Sequence, residues 1–177
     1  MKKLLPFFTA LVLFASITGC DEYSSPVPAG KLKESKIDTS YIGCWDYTGL
    51  VNDNDSSLSI LDPHYLNVVQ YDNNKYILEL VKKDTVKPST MPGLYEATTC
   101  KLGGKNIVSI RSITGADKTE YLIYMFDLDS DTLWYCAFQK SKLDKQFNKT
   151  SALKKYLLKY LNDTSVLLPR KKYVRAN

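Results

Sequence analysis

The chain has 177 residues, room for one domain with a core of its own and little more. Its net charge of +5 hides an uneven distribution: residues 140–177 hold eleven Lys and Arg against Asp144 and Asp163, whereas residues 20–139 are acidic overall. A single histidine leaves little scope for a catalytic dyad or triad, and no segment repeats internally.

Met1-Lys2-Lys3 is basic, Leu4 to Ala15 is apolar, and Ile17-Thr18-Gly19-Cys20 closes the run. That order suits a secretory signal, and residues 4–19 fall short of the roughly 20 apolar residues that span a bilayer core. The motif resembles the lipobox of bacterial lipoproteins. The resemblance implies cleavage before Cys20, a diacylglyceryl thioether carrying chains such as palmitate on its sulfur, and an acylated new amino terminus. Two or three acyl chains suffice to keep a protein on the membrane without a spanning helix. Asp21, followed by Glu22, resembles the signal that retains enterobacterial lipoproteins at the inner membrane. The implied address is the periplasmic face of that membrane, with the outer membrane as the alternative. Export makes nucleic acid a poor partner. The basic C-terminal part suits anionic head groups, an acidic partner or simply a solvated helix face.

Residues 20–40 include Pro26, Pro28 and Gly30 and few large apolar side chains, and are expected to form a flexible tether. One domain should then occupy residues 41–177. Three cysteines remain after Cys20. An oxidising compartment favours one disulfide among Cys44, Cys100 and Cys136, with Cys100 and Cys136 preferred though the pairing is left open. Their spacing matches no metal knuckle.

From Tyr41 the texture is that of β-strands. Tyr41–Thr48 comes first, then a short candidate at Ser57–Leu61. His64–Tyr71 and Lys75–Lys82 flank Asp72-Asn73-Asn74, a hairpin signal, and Gly93–Lys101 and Lys105–Ile113 flank Leu102-Gly103-Gly104, a second one. Thr119–Asp127 and Thr132–Lys140 follow. About eight antiparallel strands in up-and-down order are predicted. Beyond Lys140 the period changes: Leu143, Phe147, Thr150, Leu153, Leu157, Tyr160 and Leu161 mark one face of a helix over 142–161, which should pack on the sheet. Pro169 breaks the chain, and Lys172–Val174 could add a last short strand.

Gly43-Cys44-Trp45 on the first strand, the eight-strand meander and a helix after the last strand resemble a lipocalin-like barrel. The resemblance implies that Trp45 plugs the barrel base under a basic side chain from near the end of the last strand, where Lys140 or Lys142 is available. It also implies an interior able to hold side chains or one small ligand.

Catalytic constellations are not evident. His64 follows Asp62-Pro63 at a strand start without a nucleophile motif. Asp127-x-Asp129-x-Asp131 lacks the Gly and Glu of a calcium loop, Asp53 and Asp55 lack the rest of the pattern, and Gly103-Gly104-Lys105 lacks the phosphate-loop spacing. No enzyme, metal or cofactor is therefore expected. Tyr121, Tyr124, Trp134 and Tyr135, on adjacent predicted strands, form the candidate binding patch. The expected function is protein recognition in the envelope, as an inhibitor, an immunity-type factor or an accessory subunit; binding of a small apolar ligand or lipid inside the barrel is the alternative.

Overall fold

The computed structural model describes residues 22–51, 64–82, 93–114 and 119–176. In chain order its strands are β1 (Ser24–Ser25), β2 (Gly43–Val51), β3 (His64–Gln70), β4 (Tyr76–Lys82), β5 (Gly93–Leu102), β6 (Lys105–Ser112), β7 (Tyr121–Asp129), β8 (Thr132–Ala137) and β9 (Arg170–Arg175). One α-helix, α1 (Thr150–Leu157), lies between β8 and β9. Cys20, Asp21, the Asp53 and Asp55 pair and the candidate strand at Ser57–Leu61 fall outside the described residues.

β2 to β8 each pair antiparallel with the next, and β9 enters between β8 and β2, antiparallel to both. Eight strands thereby close a mainly β, up-and-down barrel of lipocalin-like form, and closure removes the open sheet edges. One feature of the predicted order changes. The eighth barrel strand is β9, so the helix precedes the last strand instead of following it. Turn chemistry sets the hairpins: Asn74 N–H donates to the Asp72 carboxylate at 2.7 Å, and Gly103 and Gly104 both have positive φ, as a type I′ turn requires.

Strand periodicity divides the side chains between two cores. Trp45, Val68, Tyr76, Ala97, Leu133 and Tyr173 point inward and form the core inside the barrel, with Trp45 at its base. Cys100, Leu102, Ile107 and Ile123 point outward on β5–β7 and form a second core with the N-terminal segment and α1.

The N-terminal segment is not a tether. Tyr23 is fully buried; its N–H donates to the Phe138 carbonyl at 2.7 Å and its hydroxyl to the Lys145 carbonyl at 2.7 Å. β1 pairs with the start of β7, Ala29 N–H donates to the buried Ser109 hydroxyl, and the Ser35 hydroxyl accepts from Thr99 N–H at 2.9 Å. Residues 23–35 thus run down the outside of the barrel as a strap. The chain then crosses the base, where Ile37, Tyr41 and Ile42 pack against the lower core and Asp38 exchanges hydrogen bonds with the Tyr76 hydroxyl. A stretch of small and polar residues stays ordered because its backbone and hydroxyl groups are paired with the barrel.

The helix is shorter than the apolar stripe implied. Residues 142–149 are irregular: the Lys145 carbonyl accepts from Tyr23, and Gln146 reaches the Ser24 carbonyl. The stripe is buried all the same, with Leu143, Leu153 and Leu157 fully covered. Each such leucine contributes about 1.5–3 kcal/mol of burial.

The disulfide expectation is corrected. Cys44, Cys100 and Cys136 are all free thiols. Cys100, Ile107, Met125 and Cys136 lie on one register row across β5 to β8. Three strand spacings, roughly 14 Å, exceed the Cα separation of about 7 Å that a disulfide bridges. Cys100 serves packing instead. A Cβ at Gly30 would stand 2.5 Å from the Cys100 Cβ, so only glycine lets the strap lie this close. Gly30→Ala should therefore lift the strap and cost about 1–3 kcal/mol, as overpacking does. Urea denaturation of both proteins checks this; an unchanged midpoint would show that the strap adds little.

Candidate functional site

The base of the barrel is closed by one residue acting on several elements. Arg175, at the end of β9, lays its guanidinium over the Trp45 ring at 4.2 Å. Its two Nη groups donate to the Ile42 carbonyl at 3.0 Å and the Ser40 carbonyl at 2.6 Å, and Nε faces the Asp131 carboxylate at 3.3 Å. Gly43 has φ of +136°, and a Cβ there would meet Arg175 Nη1 at 2.9 Å. The Gly-x-Trp motif thus has a local physical cause: glycine admits the arginine that covers the tryptophan. The basic partner expected near Lys140 or Lys142 is Arg175 instead, and Lys140 is exposed. Asp131, the third acid of the Asp-x-Asp-x-Asp run, belongs to this clamp.

Above that base the barrel is hollow. A cavity of about 440 Å³ opens between Leu66, Leu78, Val108 and Ile110 on one side and Leu122, Tyr124 and Tyr135 on the other. Inward-facing Leu66, Leu78, Val108 and Ile110 keep accessible surface, whereas Trp45 and Tyr173 keep almost none. Glu22, Tyr124 and Lys171 line the cavity toward the end opposite the clamp. A broader concavity of about 840 Å³ lies outside, between β6–β8 and residues 161–170, but it is lined in good part by polar groups such as Lys105, Asp127, Gln139 and Arg170.

One flank of the interior is polar. Glu22, only 8% exposed, turns its side chain to the cavity; its carboxylate accepts from the Tyr124 hydroxyl at 2.8 Å and faces Lys171 Nζ at 3.2 Å. Lys171 also stands 5.3 Å from the centre of the Tyr135 ring, and the Tyr135 and Tyr173 hydroxyls are 3.2 Å apart. Burial, and secondarily the neighbouring Tyr135, push the Tyr173 hydroxyl far above its ordinary value. Burial likewise pushes Tyr41 up to about 12, so both remain neutral at physiological pH.

The expected tyrosine patch is not one surface. Tyr124 and Tyr135 point inward, where their rings meet edge-on at 5.4 Å. Tyr121 and Trp134 point outward: Tyr121 lies under Arg111 at 5.1 Å, and Trp134 lies between Arg170 at 4.8 Å and Lys172 at 5.4 Å. Alternation along β7 and β8 separates the pairs. The sequence marks Glu22 only beside Asp21 as part of an address, and no motif marks Lys171 or Arg175. Their strand lies beyond the helix, and its inward parity is visible only once β9 is known to close the barrel. His64 begins β3. Among the described residues no group of three or more His, Cys, Asp or Glu is placed to hold a metal.

No protein-family model, curated protein or solved structure matches this chain.

Two outcomes follow from this geometry. Arg175→Ala should cost about 2–4 kcal/mol, through charged hydrogen bonds of about 1.5–3 kcal/mol each in mutational series and the lost cation–π contact. Arg175→Lys should cost less because it keeps the cation. Denaturation midpoints of the two variants test the order. In the folded protein a maleimide should label exposed Cys44 but not Cys100 or Cys136. Burial pushes the Cys100 thiol up to about 11 and raises Cys136 as well, which keeps both in the unreactive thiol form. Peptide mass spectrometry before and after unfolding reads this directly, and a crosslinked Cys100–Cys136 peptide would contradict it.

Proposed function

We propose that this protein is a lipid-anchored lipoprotein of the bacterial envelope that holds a small apolar or amphiphilic molecule inside its barrel. The observation that carries the reading is the hollow barrel interior, whose volume of about 440 Å³ lies within the range of roughly 300–1,000 Å³ found for ligand pockets. Arg175 and Trp45 clamp the base, so we read the cavity as closed at that end, with its mouth at the other.

The anchor reading rests on the lipobox resemblance ending at Cys20 and gains weight from the strap. Glu22 is built into the barrel wall on the mouth side, and two residues of chain reach at most about 7 Å. A lipidated Cys20 would therefore hold the mouth close to the bilayer, without the long spacer expected of residues 20–40. Acyl-chain-like molecules would then be the most abundant candidates at the entrance. Protein recognition, the other reading, rests on tyrosine richness, on the basic C-terminal part against an acidic body and on a tether; the ordered N-terminal segment and the division of the aromatic patch weaken it, while the charge asymmetry stands.

Full-length protein purified in digitonin should retain a small molecule that denaturation releases and mass spectrometry identifies. Val108→Trp, filling the cavity from its wall, should lower retention about tenfold or more, equivalent to 1.4 kcal/mol, with little change in melting temperature. Equal recovery from both proteins would remove the cavity from the account. Cys20→Ser tests the anchor separately and should move the protein from the membrane to the soluble fraction.

A further inference from the structure

The polar flank of the cavity has a composition that packing alone does not require. An ion pair enclosed among apolar groups contributes little net stability, because desolvation offsets the attraction, and apolar residues of similar volume would serve as well or better. Here Glu22, Lys171 and Tyr124 are brought together from the N-terminal segment, β9 and β7. The two charged groups line a space bounded elsewhere by uncharged side chains, aliphatic ones such as Leu66, Leu78 and Val108 and aromatic ones such as Tyr41, Tyr95 and Phe126.

The charges of this cluster compensate: one carboxylate, one ammonium. A ligand carboxylate entering beside them would compete with Glu22 for Lys171 and leave one negative charge unmatched in a poorly solvated space. A ligand ammonium would leave Lys171 in the converse position. An uncharged head that both donates and accepts meets neither cost. The ammonium has three donors and the carboxylate about four acceptor positions, more than their mutual contact and the Tyr124 hydroxyl engage. A hydroxyl or primary amide can accept from Lys171 and donate to Glu22 while both charges stay paired. The volume bounds the tail: at roughly 30 Å³ per water-sized group, the cavity holds about ten to fifteen non-hydrogen atoms.

From this we infer that the Glu22–Lys171–Tyr124 cluster is a head-group site that selects uncharged, single-chain amphiphiles with a hydroxyl or amide head over fatty acids and alkylamines of the same length. The inference rests on the cavity reading given above and deepens it to a ligand class.

The test is calorimetric titration of full-length protein in digitonin with 1-decanol, decanoate and decylammonium at neutral pH. Decanol should bind about tenfold or more tighter than either ion. Glu22→Gln keeps the shape and an acceptor for Tyr124 but leaves Lys171 uncompensated, so decanoate should gain about tenfold relative to decanol. Lys171→Met should instead favour decylammonium. Should Lys171→Met fail to fold, the nearly isosteric Glu22→Gln decides alone. Equal affinities for the three probes, or an unchanged ranking in Glu22→Gln, would overturn the head-group inference and leave the cavity reading standing. Failure of every probe to bind would overturn both.

Discussion

Everything inside this molecule depends on β9. Without Arg170–Arg175 between β8 and β2, the remaining seven strands would form an open curved sheet with two free edges and no interior. The closing strand is also the last in the chain, and its partner β2 lies more than a hundred residues earlier. Such pairing meets its loop-closure cost late and needs reinforcement from side chains. Arg175 supplies it. By touching Trp45, the Ser40 and Ile42 carbonyls and Asp131, it fastens β9 to β2, to the chain crossing the base and to the β7–β8 turn at once.

A closed barrel of eight strands need not be hollow, since side chains can fill it. Here the wall is braced from outside. The strap and α1 cover β5–β7 with a core containing Tyr23, Phe138, Leu143, Leu153 and Leu157, all fully buried. That core lies off the cavity, so the upper interior can remain unfilled while the wall behind it is held in place. Unfilled space forfeits contacts that its lining side chains would otherwise make. An occupant of suitable shape would restore them, which gives an apolar ligand a favourable term independent of its head group.

Much of the barrel was legible in the sequence because its signals are local. The Asp72–Asn74 turn, the Gly103-Gly104 pair and the β-branched runs beside them fix hairpins within a few residues. The misreadings share one origin, which is that each depended on a partner distant in the chain. Tyr23, Ala29 and Ser35 look like linker residues until Phe138, Ser109 and Thr99 are seen to pair with them. The basic group over Trp45 is Arg175, on the return strand after the helix, where no local signal ties it to the Gly-x-Trp motif more than a hundred residues earlier. The aromatic patch failed on parity alone: Tyr121 and Tyr124 stand three residues apart on one strand and must face opposite ways. Nearness along the chain groups these side chains, and the pleat separates them.

The N-terminal segment joins these features into one device. Glu22 supplies a charge to the cavity, residues 23–35 brace the wall and residues 36–42 floor the barrel, so site, support and base share a single stretch of chain. Tyr23 is fixed by backbone hydrogen bonds on both sides, to Phe138 and from Ile123. Any load applied just before Glu22 is therefore transmitted to the barrel wall and not absorbed by a hinge. If a lipid is attached at Cys20, it orients the mouth as well as locating the protein, because so short a connection leaves the barrel little freedom to turn its opening away from the surface to which it is bound. On the reading proposed above, the identity of the occupant and the mode of anchoring would be linked: a mouth held at a bilayer would meet single-chain amphiphiles first, and the paired charges of Glu22 and Lys171 would then sort them by head group.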